Sequence, residues 1–168
     1  MNLIIDIGNT LIKLAVFQDD IILKKKTCLR QDFLNKLDEL ELNYPNIGSV
    51  LLSSVSKTSK KWIERLEEKY DLIILDSKLP QVFKNLYSTP ATLGNDRIGL
   101  AAAACKKYSG KNVLIIDAGT CITYDFKNSA EEYLGGAISP GLKMRFLALN
   151  TFTAKLPLVT VEQEVPLI

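Results

Sequence analysis

The segment Leu3-Ile4-Ile5-Asp6-Ile7-Gly8 aligns without a gap on Leu114-Ile115-Ile116-Asp117-Ala118-Gly119, and each copy passes from an apolar strand through Asp-x-Gly into a second strand. An apolar run that ends on such a turn and resumes as alternating residues predicts a hairpin at each place. Two such openings predict a duplicated α/β architecture whose two acidic turns face each other across a cleft. After the first turn, Ile12, Leu14 and Val16 alternate as a second strand, and Ile21 to Leu23 resumes an extended segment toward Cys28. Phe33, Leu34, Leu37 and Leu40 then recur at helical spacing, with Asp32 placed to cap the helix. Ser49 to Val55 predicts a buried strand. Trp62, Ile63, Leu66 and Tyr70 mark one face of a charged helix, and Leu72 to Leu75 predicts another strand. The first lobe, residues 1–88, therefore reads βββαβαβ.

A linker carrying Pro80 and Pro90 leads to a second lobe, residues 89–168. Asp96 to Lys107 is alanine-rich and predicts a helix, capped by Asn95 or Asp96. Val113 to Ile116, Ile122 to Phe126 and Glu132 to Ile138 predict strands, the last interrupted at Gly135-Gly136. Pro140-Gly141 opens an apolar helix through Leu142, Phe146 and Leu149.

Composition narrows the chemistry. With 47% hydrophobic and 24% charged residues the chain has the balance of a packed soluble protein. It contains no histidine, which removes the serine or cysteine triad, the imidazole base and His-ligated metal sites together. Acid–base work falls to a carboxylate, lysine or tyrosine, and Asp and Glu are also ligands for hard cations such as Mg²⁺. Cys28, Cys105 and Cys121 have no paired spacing, so reduced thiols are expected rather than a disulfide framework or a zinc site. The 21 basic and 19 acidic residues are spread along the chain and leave a net charge of +2, which favours neither nucleic acid nor anionic lipid. The apolar runs are far shorter than the roughly 20 residues that span a bilayer. The N-terminus meets Asp6 almost at once and does not read as an export signal, so a cytoplasmic location is expected.

The two acidic turns suit phosphate chemistry. Each Asp ends an apolar strand, which fixes its carboxylate rigidly where the chain leaves the core. Gly8 and Gly119 carry no Cβ, so the backbone can approach a ligand closely. Turn N–H groups with the Thr10 and Thr120 hydroxyls make an anion-binding concavity, Lys13 adds a cation, and Mg²⁺ bridges carboxylate and phosphate. Asp-x-Gly also makes an ordinary Asx-type turn, and one instance alone would carry no more than that. Gly94-Asn95-Asp96-Arg97 likewise has a plain reading as a helix cap. Its functional reading makes Asp96 the base for a substrate hydroxyl and Arg97 the bidentate partner of a substrate carboxylate.

Four motifs in order resemble the type III pantothenate kinases, within the superfamily of acetate kinases, sugar kinases, Hsp70 and actin. Asp6-Ile-Gly-Asn-Thr10 is similar to that family's N-terminal phosphate motif, and Leu93-Gly-Asn-Asp-Arg97 to its substrate motif. Asp117-Ala-Gly-Thr-Cys-Ile-Thr123 resembles the second phosphate motif, and Gly135-Gly-Ala-Ile-Ser-Pro-Gly141 the loop that follows. The resemblance implies the duplicated ribonuclease H-like (actin-like) fold and ATP-dependent phosphorylation of pantothenate to 4'-phosphopantothenate, the first step of coenzyme A biosynthesis. It further implies Asp96 as general base and Asp6, Ile7, Gly8, Asn9, Thr10, Leu11, Ile12 and Lys13 on the ATP phosphates. Thr120 would contact the nucleotide, and Asp117 would bind a monovalent cation, K⁺ or NH₄⁺. Gly94, Asn95, Asp96 and Arg97 would hold pantothenate, with Tyr87 beside them; Tyr87 also reads as a packed linker tyrosine. Asp125 reads either as support behind the second motif or as a solvated strand residue. The family forms homodimers through the second lobe, to which the apolar run Phe146 to Phe152 would contribute unless it is ordinary core. Members of the family continue beyond Val165-Pro-Leu-Ile168, so a part-built second lobe with an exposed sheet face is expected here. Two alternatives stand beside the kinase reading: a non-enzymatic transcriptional accessory or binding protein, and a kinase of the same superfamily acting on another hydroxy acid or sugar.

Overall fold

The computed structural model describes residues 1–160, and the chain's last residues, Val165 to Ile168 among them, lie outside the described residues. Two compact units are formed. One comprises Met1–Gln81 with Thr89–Ala102, the other Val82–Ser88 with the chain from Ala103 onward.

The first unit is built on one five-stranded sheet. Its strands are Asn2–Ile7 (β1), Ile12–Gln18 (β2), Ile21–Cys28 (β3), Ser49–Ser54 (β4) and Asp71–Ile74 (β5), in the order β3-β2-β1-β4-β5. β1, β2 and β3 form the expected antiparallel meander, whereas β4 lies parallel to β1 and β5 parallel to β4. Phe33–Asn43 (α1) and Lys60–Lys69 (α2) connect them, so the βββαβαβ order read from the apolar periodicity is the observed one. Leu3, Ile5 and Ile7 of β1, Ile12, Leu14 and Val16 of β2, and Val50 and Leu52 of β4 alternate into a core completed by Phe33, Leu37, Leu40 and Leu66 from the helices. Alternation with period two puts every second side chain of a strand on one face, which is why these residues and not their neighbours are buried. Asp32 occupies the N-cap position of α1, but its side chain makes no capping hydrogen bond. Arg65 joins the two helices through Asp38 and, at 3.2 Å, Glu41.

The second unit holds a four-stranded sheet, ordered β6-β9-β8-β7, of Lys84–Asn85 (β6), Val113–Ala118 (β7), Cys121–Lys127 (β8) and Glu132–Pro140 (β9). β7, β8 and β9 repeat the antiparallel meander of the first unit. The expected interruption at Gly135-Gly136 is instead a bulge in a continuous strand. The register shifts between Phe126 and Lys127, and Gly135 takes φ +107 with the Tyr87 ring against it. β8 reverses the usual pattern: its fully buried residues are Asp125 and Lys127, while Ile122, Tyr124 and Phe126 are only half-buried. The solvated alternative for Asp125 is therefore wrong, and Tyr133 Oη donates a short hydrogen bond to its Oδ1. Lys127 donates to Tyr108 O at 2.8 Å and to Glu131 Oε2 at 2.8 Å. Leu114 and Ile116 of β7 are 59% and 57% exposed, and the helix Leu142–Thr151 (α4) has no buried residue.

In chain order, Asn95–Lys107 (α3) lies between β6 and β7 and is one residue longer at its start than the alanine-rich pattern suggests. No helix among the described residues is long and apolar enough to cross a membrane.

Candidate active site

β1 and β4 are adjacent and parallel, yet the chain leaves β1 toward β2 on one side and leaves β4 toward β5 on the other. Diverging connections open a crevice at the carboxyl ends of such strands, the usual position of a ligand in an open α/β sheet. Asp6 stands at that end of β1, half-buried, and the turn beyond it closes with Gly8 N donating to Leu11 O at 3.1 Å. A Cβ on Gly8 would lie 3.0 Å from the same carbonyl, so a larger residue would fit only if that carbonyl gave way by a few tenths of an ångström. Asn9, Thr10, Leu11 and Lys13 are exposed around it. Ile7 and Ile12 belong to the core, and only their backbone is available to a ligand.

Two hydrogen bonds tie this strand end to the second motif of the unit. Val55 N donates to Ile7 O at 3.1 Å, and Asn95 Nδ2 donates to Ser54 O at 3.2 Å. The start of α3 is thereby held at the same end of the sheet as Asp6. Asn95 spends its side-chain N–H on this cross-link. Asp96 is half-buried in the first turn, where Oδ1 accepts Arg97 N–H at 2.8 Å. Its second carboxylate oxygen has no hydrogen-bond partner among the described residues. A Cβ at Gly94 would meet Asp96 Oδ1 at 2.5 Å, so only glycine lets the carboxylate fold back over the helix start. Arg97 is 5% exposed.

Ser54, Val55, Ser56, Lys57, Leu93, Gly94 and Asn95 line a concavity of ≈ 470 Å³. The loop after β4 was not singled out from the sequence as a site element, although a hydroxyl-rich Ser-Ser-x-Ser-Lys following a buried strand was a usable signal. Arg30 fixes this loop: it donates to Ser56 Oγ at 3.0 Å and to Lys57 O, and its guanidinium lies over the Trp62 ring at 5.4 Å. The concavity receives the positive end of the α3 dipole and the Lys57 side chain, a setting for an anionic ligand.

Three of the expected residues belong to the second unit. Asp117 closes β7 half-buried, and Thr120 is exposed in the turn where Gly119 N donates to Cys121 O at 2.8 Å. A Cβ at Gly119 would meet Cys121 O at an ordinary 3.8 Å, so that turn does not itself demand glycine. Tyr87 packs its ring 6.3 Å from that of Tyr133, and its N–H donates to Asn85 Oδ1 at 3.0 Å. Among the described residues no group of three or more Cys, Asp or Glu side chains is gathered to hold a metal ion.

The sequence profile of the family described as type III pantothenate kinase matches residues 2–168. Type III pantothenate kinases of Christiangramia forsetii and Flavobacterium johnsoniae are 55% and 39% identical over 95% and 97% of this chain. The chain spans about two thirds of the length of these curated relatives, 66% and 67%. Among solved structures, a conserved protein of the Baf transcriptional-activator family from Campylobacter jejuni is similar at 25% identity and TM-score 0.53, over 96% of this chain and 68% of its own. A protein named as a 2-dehydro-3-deoxygalactonokinase from Sinorhizobium meliloti shares the fold at 13% identity and TM-score 0.51, over 91% of this chain and 58% of its own. The architecture is thus the ribonuclease H-like (actin-like) α/β type that the family resemblance implies.

Proposed function

This chain belongs to the type III pantothenate kinase family, and from that premise we propose that it takes part in phosphorylating pantothenate to 4'-phosphopantothenate with ATP, the first step of coenzyme A biosynthesis. The observation that carries the reading is the joining of two motifs in one unit: the strand end bearing Asp6 and the helix start bearing Asp96 are tied through Val55 and Asn95. Residues Asp6 to Lys13 face the nucleotide phosphates through turn N–H groups, the Thr10 hydroxyl and the Lys13 ammonium. Hard oxygen donors at Asp6 suit Mg²⁺, and a buried hydroxyl beside it, Ser53 Oγ, has no hydrogen-bond partner among the described residues. Bound Mg–ATP supplies the phosphoryl group and neutralises its charge. Asp96 takes the proton from the substrate hydroxyl through its unengaged oxygen, while Gly94, Asn95 and Arg97 orient pantothenate and Arg97 pairs with its carboxylate. Tyr87 is a neighbour of the substrate, Thr120 of the nucleotide, and Asp117 contributes one carboxylate to a K⁺ or NH₄⁺ site.

The same reading makes the protein a cytoplasmic homodimer with no nucleic-acid or membrane partner; the exposed Leu142, Met144, Leu147 and Leu149 of α4 support a protein contact there. It also treats residues 1–88 and 89–168 as lobes descended from one duplicated unit. Supplied with Mg²⁺, K⁺, ATP and pantothenate, the protein at the full length of its relatives is expected to form phosphopantothenate, followed by mass spectrometry. Turnover of a sugar or another hydroxy acid but not of pantothenate would replace the substrate, and a salt-dependent DNA complex without any turnover would replace the kinase reading.

A further inference from the structure

In the register of the first sheet, Asp6 of β1 pairs with Ser53 of parallel β4 and with Lys13 of antiparallel β2. Paired residues on adjacent strands project from the same face, about 4.8 Å apart along the hydrogen-bonding direction. Lys13, Asp6 and Ser53 therefore form one row across three strands at the ligand end of the sheet. Ser53 is 7% exposed, and its Oγ has no hydrogen-bond partner among the described residues. The second unit repeats the arrangement. Asp117 of β7 pairs with Thr123 of β8, which is also 7% exposed and whose Oγ1 likewise has no partner among the described residues. A buried hydroxyl without a partner costs stability that alanine or valine at the same place would not, so a purely structural role gives no reason for either one. In each unit the orphaned hydroxyl stands beside the aspartate that ends the duplicated strand.

We infer that Ser53 and Thr123 are binding residues: Ser53 Oγ completes its hydrogen bonding on an oxygen of the magnesium–nucleotide at Asp6, and Thr123 Oγ1 on a nucleotide oxygen at the turn that carries Thr120. The inference rests on the assignment of the two acidic turns to nucleotide binding. Ser53 works as the third member of a row in which Lys13 supplies charge and Asp6 a carboxylate. Thr123 stands beside the second turn from the opposite strand of its hairpin, where it pairs with Asp117.

Equilibrium titration of the full chain with a magnesium complex of non-hydrolysable ATP, by calorimetry, tests it without reference to activity. Ser53→Ala and Thr123→Val are each expected to weaken binding about tenfold, the loss of one hydrogen bond to a charged ligand. The melting temperature of the ligand-free protein is expected to stay the same or rise, because an unsatisfied buried group is removed. Ser53→Cys, which keeps size but donates weakly, is expected to fall between wild type and alanine. Wild-type affinity in either variant, with the wild type itself binding, overturns the inference for that hydroxyl and leaves the nucleotide site standing. A lowered melting temperature with unchanged affinity would show a merely structural residue. Absence of binding by the wild type would overturn the nucleotide assignment and the inference with it.

Discussion

Asp96→Asn is expected to lower the rate of phosphoryl transfer to pantothenate by about 10²–10⁴-fold, the usual contribution of a positioned general base, while leaving Mg–ATP affinity unchanged. The substitution is nearly isosteric. Asparagine Oδ1 still accepts the Arg97 N–H that holds the carboxylate at 2.8 Å, and Gly94 still leaves room for it. What disappears is the second oxygen's ability to accept a proton. Steady-state turnover beside a nucleotide titration separates the two effects. Equal loss of turnover and of nucleotide binding would mean that Asp96 shapes the site rather than accepting the proton, and retained turnover would remove it from the chemistry.

The second large effect is on stability. Lys127 is fully buried on β8, and replacing it by methionine leaves Tyr108 O and the Glu131 carboxylate without their shared cation. Removing the Lys127 cation is expected to lower stability, by less than the loss of one member of a fully buried pair, because the Glu131 side chain keeps 27% of its exposure and can be solvated. Hydrogen bonds from Lys127, then from Cys105 and the Gly110 N–H, hold Glu131 down at about 2 against an ordinary 4.5. A carboxyl whose folded value is depressed stabilises fully above its unfolded value and loses that contribution as the pH falls from about 4.5 to about 2. Burial, then the contact with Glu131, pushes the Cys105 thiol up to about 11, so it remains a protonated donor through that range. Urea unfolding of Lys127→Met is expected to show the loss at neutral pH and a flatter acid limb between those values. Wild-type stability, or an unchanged acid limb, would contradict the role given to this pair.

The duplicated hairpins were legible because two signals coincide at each: an uninterrupted apolar run buried by period-two alternation, and a turn sequence at its end. The helices α1 and α2 were legible for the same reason, since Phe33, Leu37, Leu40 and Leu66 are buried where the helical spacing places them. Three features were hidden. The strand Lys84–Asn85 has two residues and no periodicity; only its pairing with Glu132 and Tyr133 defines it. The polar interior of β8 defeats hydrophobic reading, because Asp125 and Lys127 are buried through Tyr133, Tyr108 and Glu131, partners distant or invisible in a local window. Asn95 reads as a cap from its position, and nothing local records that its side-chain N–H donates to the carbonyl of Ser54. The candidate site shows the same division. Its aspartates announce themselves at strand ends, whereas Ser53 and Arg30 matter through contacts between strands and loops, of which the hydroxyl-rich run after β4 is the one local trace.

Backbone hydrogen exchange in the presence of saturating Mg–ATP and pantothenate bears most directly on the claim that Asp6 and Asp96 belong to one ligand site. Slowed exchange is predicted together at the turn Gly8–Leu11, the loop Ser54–Lys57 and the start of α3 at Gly94–Arg97. Saturation with nucleotide and pantothenate that leaves the amides of these three segments unprotected would contradict it.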